Sequence, residues 1–176
     1  MIVLGVDPGS LRTGYGAIET DGLRHRLVDK GVLAPPARLA LAERLHLIHA
    51  GVADVIDRLR PDAMAVEDVF HAVNTRTALV LGHVRGVVLL AGAEAGLGVH
   101  AFPPATVKQQ MTGFGRAEKG QVALMVSRIL ELAGDGEAGD AADALAVALC
   151  YAHRLRTPAN LAVAAPYPRR RRGVAR

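Results

Sequence analysis

The sequence predicts an α/β domain with a mixed five-stranded sheet covered by helices. Three observations lead to this prediction. The first 33 residues contain three β-favouring runs and no helical periodicity. After them, helical repeats alternate with two further short apolar runs. The first three runs are close enough in sequence to be joined by tight turns, so these strands are expected to be antiparallel.

The strands are assigned from runs of apolar and β-branched residues. Residues 2–6 form an unbroken apolar run, which is typical of a strand buried on both faces. Asp21 and Gly22 form a hairpin signal between the second and third strands. The predicted strands cover residues 2–6, 13–19, 25–33, 63–67 and 99–102.

The helices are assigned where apolar residues recur every three or four positions. This spacing begins near Arg38 and continues until Pro61 ends the helix. Gly96 ends the second helix. Thr106 is expected to cap a short third helix, and residues 113–120 are expected to form a loop. The remaining predicted helices cover about residues 75–95, 121–132 and 140–156.

Composition and charge divide the chain into a core domain and a tail. We expect one domain over residues 1–157 and a disordered basic tail over residues 158–176, which is rich in proline, alanine and arginine. The net charge is +4, but without the five arginines of the tail 16 basic residues face 17 acidic ones. Positive charge on the domain must therefore be local if the domain binds nucleic acid.

Several observations favour a cytoplasmic protein that is not inserted in a membrane. Cys150 is the only cysteine, so the chain has no intrachain disulfide, which fits a reducing compartment. The N-terminus lacks the basic start of a signal peptide. No uncharged apolar stretch approaches the roughly 20 residues of a membrane span.

Four carboxylates stand where a metal-dependent nuclease needs them. Asp7 and Glu67 each end an apolar strand, whereas Asp140 and Asp143 lie three apart on one face at the start of a helix. Buried carboxylates without a partner are strongly disfavoured, and Mg²⁺ is a hard cation that prefers oxygen ligands. Because side chains alternate along a strand, only one of Glu67 and Asp68 can point inward.

Each acid also has a simpler interpretation. Asp7 could form a plain Asx turn with the Pro8-Gly9 dipeptide. Asp140 could cap the last helix, with Asp143 favouring the helix dipole. What favours the metal site is that three separate segments each supply an acid at a strand end or a helix start.

Four motifs in order carry a resemblance to a known family. GVDPGSLRTGYG, AVEDVF, GRAEKGQV and GDAADALAVAL resemble the RuvC family of Holliday-junction resolvases, and the likeness runs from residue 2 to about 155. The resemblance implies a ribonuclease-H-like fold. It also implies that the catalytic and metal-binding carboxylates are Asp7, Glu67, Asp140 and Asp143, and so selects Glu67 over Asp68. Some relatives have histidine in place of Asp140, whereas all four donors here are oxygens.

The resemblance further implies the reaction and the partners. The expected enzyme is a structure-selective endonuclease that resolves four-way DNA junctions in recombination and repair. It makes paired symmetric nicks by two-metal hydrolysis and leaves 5′-phosphate and 3′-hydroxyl ends. Two Mg²⁺ ions per active site are expected, with Mn²⁺ able to substitute. The expected partners are junction DNA, a second copy in a homodimer, and the branch-migration proteins RuvA and RuvB.

The resemblance also implies roles for residues that contact DNA. Lys119 is expected to act catalytically by neutralising phosphate charge near the scissile bond, and Lys108 to position the backbone. Both lysines could instead be ordinary solvated surface residues. Phe70 is expected to stack on a base at the crossover, although a loop phenylalanine often folds back onto the core. The further DNA-binding candidates are Phe114, Arg76 and Arg116, and Arg12 and Arg85 add possible local positive charge.

Two other patterns are weighed in the same way. Ala78, Gly82 and Gly86 form a stripe of small residues on the second helix, which implies close backbone approach. The stripe could pack on the protein's own sheet, but the resemblance favours a homodimer seam. His46 and His49 have metal-ligand spacing, yet they flank the apolar stripe of their helix and are given no catalytic role.

Two competing functions use the same features. Residues 5–14 also resemble the first phosphate loop of actin-like ATPases, but the chain is too short for two such subdomains and lacks a recognisable second loop. A non-catalytic DNA-binding module of the same fold is the other alternative. The set of acids opposes it, because a pure binder gains nothing from clustered negative charge facing phosphates.

Overall fold

The computed structural model describes residues 1–68, 74–132 and 139–155. The described residues contain one five-stranded sheet with strand order β3-β2-β1-β4-β5. The strands are β1 (Ile2–Asp7), β2 (Thr13–Thr20), β3 (His25–Leu33), β4 (Ala63–Glu67) and β5 (Gly98–Phe102). β1 pairs antiparallel with β2 and β2 antiparallel with β3, whereas β4 pairs parallel with both β1 and β5. The predicted mixed sheet is confirmed.

The helices follow the predicted order with two corrections. They are α1 (Leu41–Leu59), α2 (Thr75–Glu94), α3 (Pro104–Thr112), α4 (Lys119–Ile129) and α5 (Asp140–Leu155). Thr106 does not cap α3, because Pro104 already has the helical φ and needs no amide donor at the first position. Lys119 is the first residue of α4 and not part of the preceding loop, since the Glu118 amide donates to the Gln121 side chain in a capping box.

The helices cover the two faces of the sheet with separate apolar cores. α1 and α2 pack on one face, where Ile48, Val52, Val84 and Val88 meet β1 and β4. α5 lies across the opposite face, and α3 and α4 pack against it. Residues 144–152 of α5 are all buried, so this helix is enclosed between the sheet and the outer helices.

Glycines in the sheet allow α5 to approach the strands closely. Gly5 of β1 and Gly16 of β2 are direct neighbours in the antiparallel register. A Cβ atom on Gly5 would overlap the carbonyl oxygen of Ala144, and one on Gly14 would overlap the carbonyl oxygen of Asp140. The missing side chains therefore set the height of the N-terminal half of α5 above the sheet.

α2 leaves most of its apolar surface uncovered. Leu79 is 61% exposed and Leu90 is 50% exposed. A Cβ atom on Gly82 or Gly86 would meet no atom of this chain within 4 Å. The small-residue stripe therefore does not pack on the protein's own sheet. Within the described ranges, α2 is also the one helix that is long and apolar enough to cross a membrane, which is weak evidence because it rests on length and composition alone.

Candidate active site

The first two acids of the site come from neighbouring parallel strands. Val6 of β1 lies opposite Val66 of β4 in the register, so Asp7 and Glu67 end the two strands side by side. Their carboxyl groups share a side-chain hydrogen bond. Asp7 therefore pairs with Glu67 where the two strands end, instead of forming the Asx turn that the sequence also allowed.

Burial and mutual repulsion change the acidity of this pair. Burial raises the pKa of Asp7 above the ordinary aspartate value. Burial, followed by the charge of Asp7 and the hydrogen bond to it, raises the pKa of Glu67 from 4.5 to about 8. Two carboxylates in contact cannot both ionise at low cost, so they titrate as a unit and hold one proton between them near neutral pH.

Asp140 begins α5 but does not cap it. The Gly139 carbonyl accepts the amides of Ala142 and Asp143 at 2.8 and 3.0 Å, which places Gly139 at the capping position. The capping interpretation of Asp140 is therefore wrong. The Asp140 side chain instead accepts a hydrogen bond from Arg12, whose Nε lies 2.6 Å from Oδ2.

Asp143 is held in a second ion pair. The Lys119 Nζ lies 3.0 Å from Oδ2 of Asp143, and the lysine side chain is 74% exposed. The hydrogen bond to Asp143, together with the nearby negative charges, raises the pKa of Lys119. The charges of Asp143 and Asp140 also act to raise the pKa of Asp7. The four acids therefore lie within electrostatic reach of one another.

The donor set suits a hard divalent cation. All four candidate ligands are carboxylates, whose oxygens are the donors that a hard cation prefers. Burial and the charge of Asp7 raise the pKa of Glu67, so a cation bound at the pair would favour its ionised form. In the part of the chain that the structure describes, no three His, Cys, Asp or Glu residues converge closely enough to form a ready metal site. Arg12 and Lys119 each engage one acid of α5 instead. The chemistry of the donors fits Mg²⁺.

Asp68 takes a different direction from Glu67. Its Oδ1 lies 3.2 Å from an Nη atom of Arg85 on α2. The Nε atom of Arg85 is buried and makes no hydrogen bond. Arg85 is therefore engaged within the fold by Asp68, and its suggested contribution of positive charge for DNA stays a prediction.

Contacts that the sequence did not predict fix the loop after β1. The Thr13 hydroxyl donates to the Gly9 carbonyl at 2.8 Å, and Arg44 Nη1 donates to the Ser10 carbonyl at 2.9 Å. Arg44 lies on α1, 34 residues from Ser10. No local pattern could have related them, because the contact depends on how α1 packs beside the sheet.

The side chains of the remaining candidates differ in how exposed they are to solvent. Phe114 is 63% exposed, and Arg116 is exposed in the same loop between α3 and α4. Lys108 is half-buried on α3, and Arg76 is exposed in the first turn of α2. Phe70 and the basic tail lie outside the described residues.

The histidine pair on α1 lies on the other side of the molecule's sheet from α5. His46 is exposed, and His49 Nε2 lies 3.0 Å from a carboxylate oxygen of Glu94 on α2. His49 thus links α1 to α2 at the surface.

The sheet combines three antiparallel strands with two further parallel strands. Acids lie at the ends of β1 and β4 and at the start of α5. These features define a nuclease of the ribonuclease-H-like class. The sequence profile described as "Crossover junction endodeoxyribonuclease RuvC" matches residues 3–151. The chain belongs to the RuvC family.

Individual relatives agree with this assignment. The chain is 47% identical over 152 residues to crossover junction endodeoxyribonuclease RuvC of Desulforamulus reducens, covering 86% of this chain and 93% of the relative. It is 48% identical over 162 residues to the protein of the same name from Acidiphilium cryptum, covering 92% and 96%. The family assignment excludes the actin-like ATPase alternative.

Solved structures match the fold as a whole. T. thermophilus RuvC in complex with Holliday junction substrate superposes with a TM-score of 0.83 at 41% identity, covering 89% of this chain and 95% of that one. The yeast mitochondrial Holliday junction resolvase Ydc2 superposes with a TM-score of 0.62 at 12% identity, which supports the fold alone.

Proposed function

We propose that this protein is a metal-dependent crossover junction endonuclease that resolves four-way DNA junctions by two symmetric nicks. The observation that carries the proposal is the acid pair of Asp7 and Glu67 at one sheet edge, beside the two acids of α5, in a chain of the RuvC family. The matching T. thermophilus relative is described in complex with Holliday junction substrate.

Asp7, Glu67, Asp140 and Asp143 would hold two Mg²⁺ ions, for which Mn²⁺ can substitute. When bound, such ions supply positive charge to the attacking and leaving oxygens of the phosphodiester. The acid pair would give up its shared proton on loading, since a carboxylate binds a metal in its ionised form. The expected products carry 5′-phosphate and 3′-hydroxyl ends.

Lys119 is proposed to neutralise phosphate charge at the scissile bond. It is exposed at the N-terminus of α4, and its ammonium group already lies against the acid cluster through Asp143. A phosphate oxygen approaching the acids would meet this ammonium group, which can form a charge-assisted hydrogen bond with it.

Other residues are proposed to hold the junction. Lys108 and Arg116 would bind backbone phosphates on the face that carries α3 and α4, and Arg76 would do so at the start of α2. Phe70 is proposed to stack on a base at the crossover, and the exposed ring of Phe114 is a second candidate for such a contact.

A homodimer is proposed to form through α2. The exposed apolar residues of this helix and the open space over Gly82 and Gly86 support a second helix at close distance. A two-fold dimer would present two equivalent active sites to a junction that is itself nearly two-fold symmetric.

The remaining proposals concern the setting of the enzyme. Residues 1–157 would form the nuclease domain, and the basic tail over residues 158–176 would add salt-sensitive affinity for DNA. The proposed partners are RuvA and RuvB, and the proposed location is the bacterial cytoplasm, as for an enzyme of recombination and repair.

A cleavage assay on a four-way junction tests the proposal. Wild type with Mg²⁺ is expected to make paired symmetric nicks, whereas Glu67→Gln and wild type with chelator are expected to leave the junction intact. Asp68→Asn is the matched control, because it removes the neighbouring acid that contacts Arg85 instead of the site. Equal cleavage by Glu67→Gln and wild type would refute the proposed site.

A further inference from the structure

Arg12 holds one of the four acids in an ion pair. Its Nε lies 2.6 Å from Oδ2 of Asp140, with the arginine side chain 61% exposed and the carboxylate 30% exposed. The two residues are 128 positions apart, so the contact exists only in the folded protein. Arg12 is therefore a partly solvated counter-ion that the fold places beside the site.

The backbone that carries Arg12 is fixed independently of this ion pair. The Thr13 side chain hydrogen-bonds both the amide and the carbonyl of Gly9, and Arg44 binds the Ser10 carbonyl. The loop therefore keeps its shape when the guanidinium leaves Asp140. Only side-chain torsions have to change, and exposed side chains exchange rotamers within picoseconds to nanoseconds.

A guanidinium and a divalent ion are rivals for the same carboxylate. A metal ion bound by Asp140 would lie a few ångström from the arginine charge, where like charges repel. The Lys119 ammonium group likewise forms an ion pair with Asp143 and would compete with a metal ion for that carboxylate. Both acids of α5 are thus engaged by cationic side chains of the protein itself.

We propose that Arg12 is a positioning residue that competes with the divalent ion for Asp140 and so lowers the metal affinity of the DNA-free protein. This inference rests on the proposed function, because it takes Asp140 as a metal ligand. A DNA phosphate is the anion that suits the released guanidinium. By drawing Arg12 away from Asp140, the phosphate strengthens metal binding, and by linkage the metal strengthens DNA binding equally.

The test measures Mg²⁺ binding to the DNA-free protein from the rise in Tm with Mg²⁺ concentration. Arg12→Gln is expected to bind Mg²⁺ about three- to five-fold more tightly than wild type, the size expected for loss of a partly exposed ion pair. Arg12→Lys, which keeps the charge, should return the affinity to within about two-fold of wild type. Arg26→Gln is the matched control, because it breaks an equally short ion pair with Glu19 on the β2 and β3 strands.

Asp140→Asn separates failure of this inference from failure of the proposed function. It is expected to weaken Mg²⁺ binding, and Arg12→Gln should have no further effect in that background. Unchanged or weaker Mg²⁺ binding by Arg12→Gln, with Asp140→Asn still weakening it, would overturn the role of Arg12 alone. If Asp140→Asn leaves Mg²⁺ binding unchanged, the proposed ligand set is wrong, and the role of Arg12 is wrong with it.

Discussion

Glu67 has a strongly raised pKa, which links its ionisation to the stability of the fold. Its carboxyl group is kept protonated near neutral pH by burial and by the charge of Asp7. The folded protein therefore binds a proton that the unfolded chain has already lost above the ordinary glutamate pKa. By linkage, such a raised pKa makes the folded state less stable as pH rises.

In a buffer that contains chelator, the free energy of unfolding should accordingly fall as the pH rises from about 4.5 to the Glu67 pKa of about 8. Above pH 8 it should level off. Between pH 5.5 and 8 we expect Tm to fall by roughly 4–8 °C, for a loss of about 2 kcal/mol in a chain of this size. Circular dichroism measures this change in Tm when the protein is heated in chelator-containing buffer at each pH. Glu67→Gln should lose this slope, and an unchanged slope in that variant would contradict the assignment.

Lys119 allows a test that separates chemistry from binding. Lys119→Ala should lower the single-turnover cleavage rate by about 10²-fold, because it removes a charge aimed at the developing negative charge on phosphate. Junction affinity, measured by gel shift with chelator present, should change by less than about three-fold, since one phosphate contact among many is lost. Lys30→Ala, at an exposed position on β3, is the control. Unchanged turnover of Lys119→Ala would refute the role.

The acids of the site were predictable from sequence, but their present partners were not. Asp7 and Glu67 could be placed at strand ends because apolar runs are local patterns. Arg12 was predicted only as a possible source of local positive charge, and its ion pair with Asp140 was not predicted, since the two residues lie 128 positions apart. Contacts of this kind depend on the packing of α5 on the sheet, and sequence periodicity does not record that packing.

Among the elements, α5 and the strands beneath it show most clearly how packing positions the chemistry. Asp140 and Asp143 approach Asp7 because the helix backbone rests directly on the glycines of β1 and β2. A side chain at these positions would lift the helix by the height of a methyl group. The acids of α5 would then move away from the sheet edge.

Gly5→Ala should therefore be strongly destabilising, although alanine normally suits a strand no worse than glycine. The added methyl group would overlap the Ala144 carbonyl, so we expect a loss of about 3 kcal/mol or more and a fall in Tm of roughly 6–12 °C. Gly120→Ala is the matched control, because a Cβ atom there meets no neighbour within 4 Å. Similar Tm values for the two variants would contradict the close approach of α5.

Element boundaries were predicted best where a local turn signal exists. The hairpin between β2 and β3 was confirmed: the Asp21 side chain accepts the amides of Leu23 and Arg24, and Gly22 has a φ of +90°. The start of α3 was wrong, because Thr106 has good capping chemistry but the preceding prolines begin the helix earlier. Capping preferences compete, and sequence alone does not rank them.

For the molecule as a whole, the uncovered face of α2 is the feature that the single chain does not explain. The helix was predicted between the polar loop at Asn74 and the glycines that end it, and its stripe of small residues was predicted from their spacing. Which surface covers the stripe was not decided by either pattern. In the structure, Gly82 and Gly86 face open space, which leaves room for a second copy.

Gly82→Leu should convert the proposed dimer to a monomer, because the larger side chain holds the two helices apart. Light scattering coupled to size exclusion would give half the wild-type mass. The monomer should then still nick one strand of a junction at a time but should lose the paired nicks that resolve it. Arg128→Leu, at an exposed position of α4 on the opposite side of the sheet, is the control. A dimer of unchanged mass would mean that the copies meet elsewhere.

The burial of α5 also bears on when the proposed active site can assemble during synthesis. This helix supplies two of the four acids and the centre of one core, yet it follows every other described element along the chain. During synthesis from the ribosome, the earlier strands emerge long before the segment that completes them. A chain that ends before Asp140 therefore lacks two of the four proposed metal ligands and the centre of one core, so it would be unstable and could not assemble the proposed cutting centre.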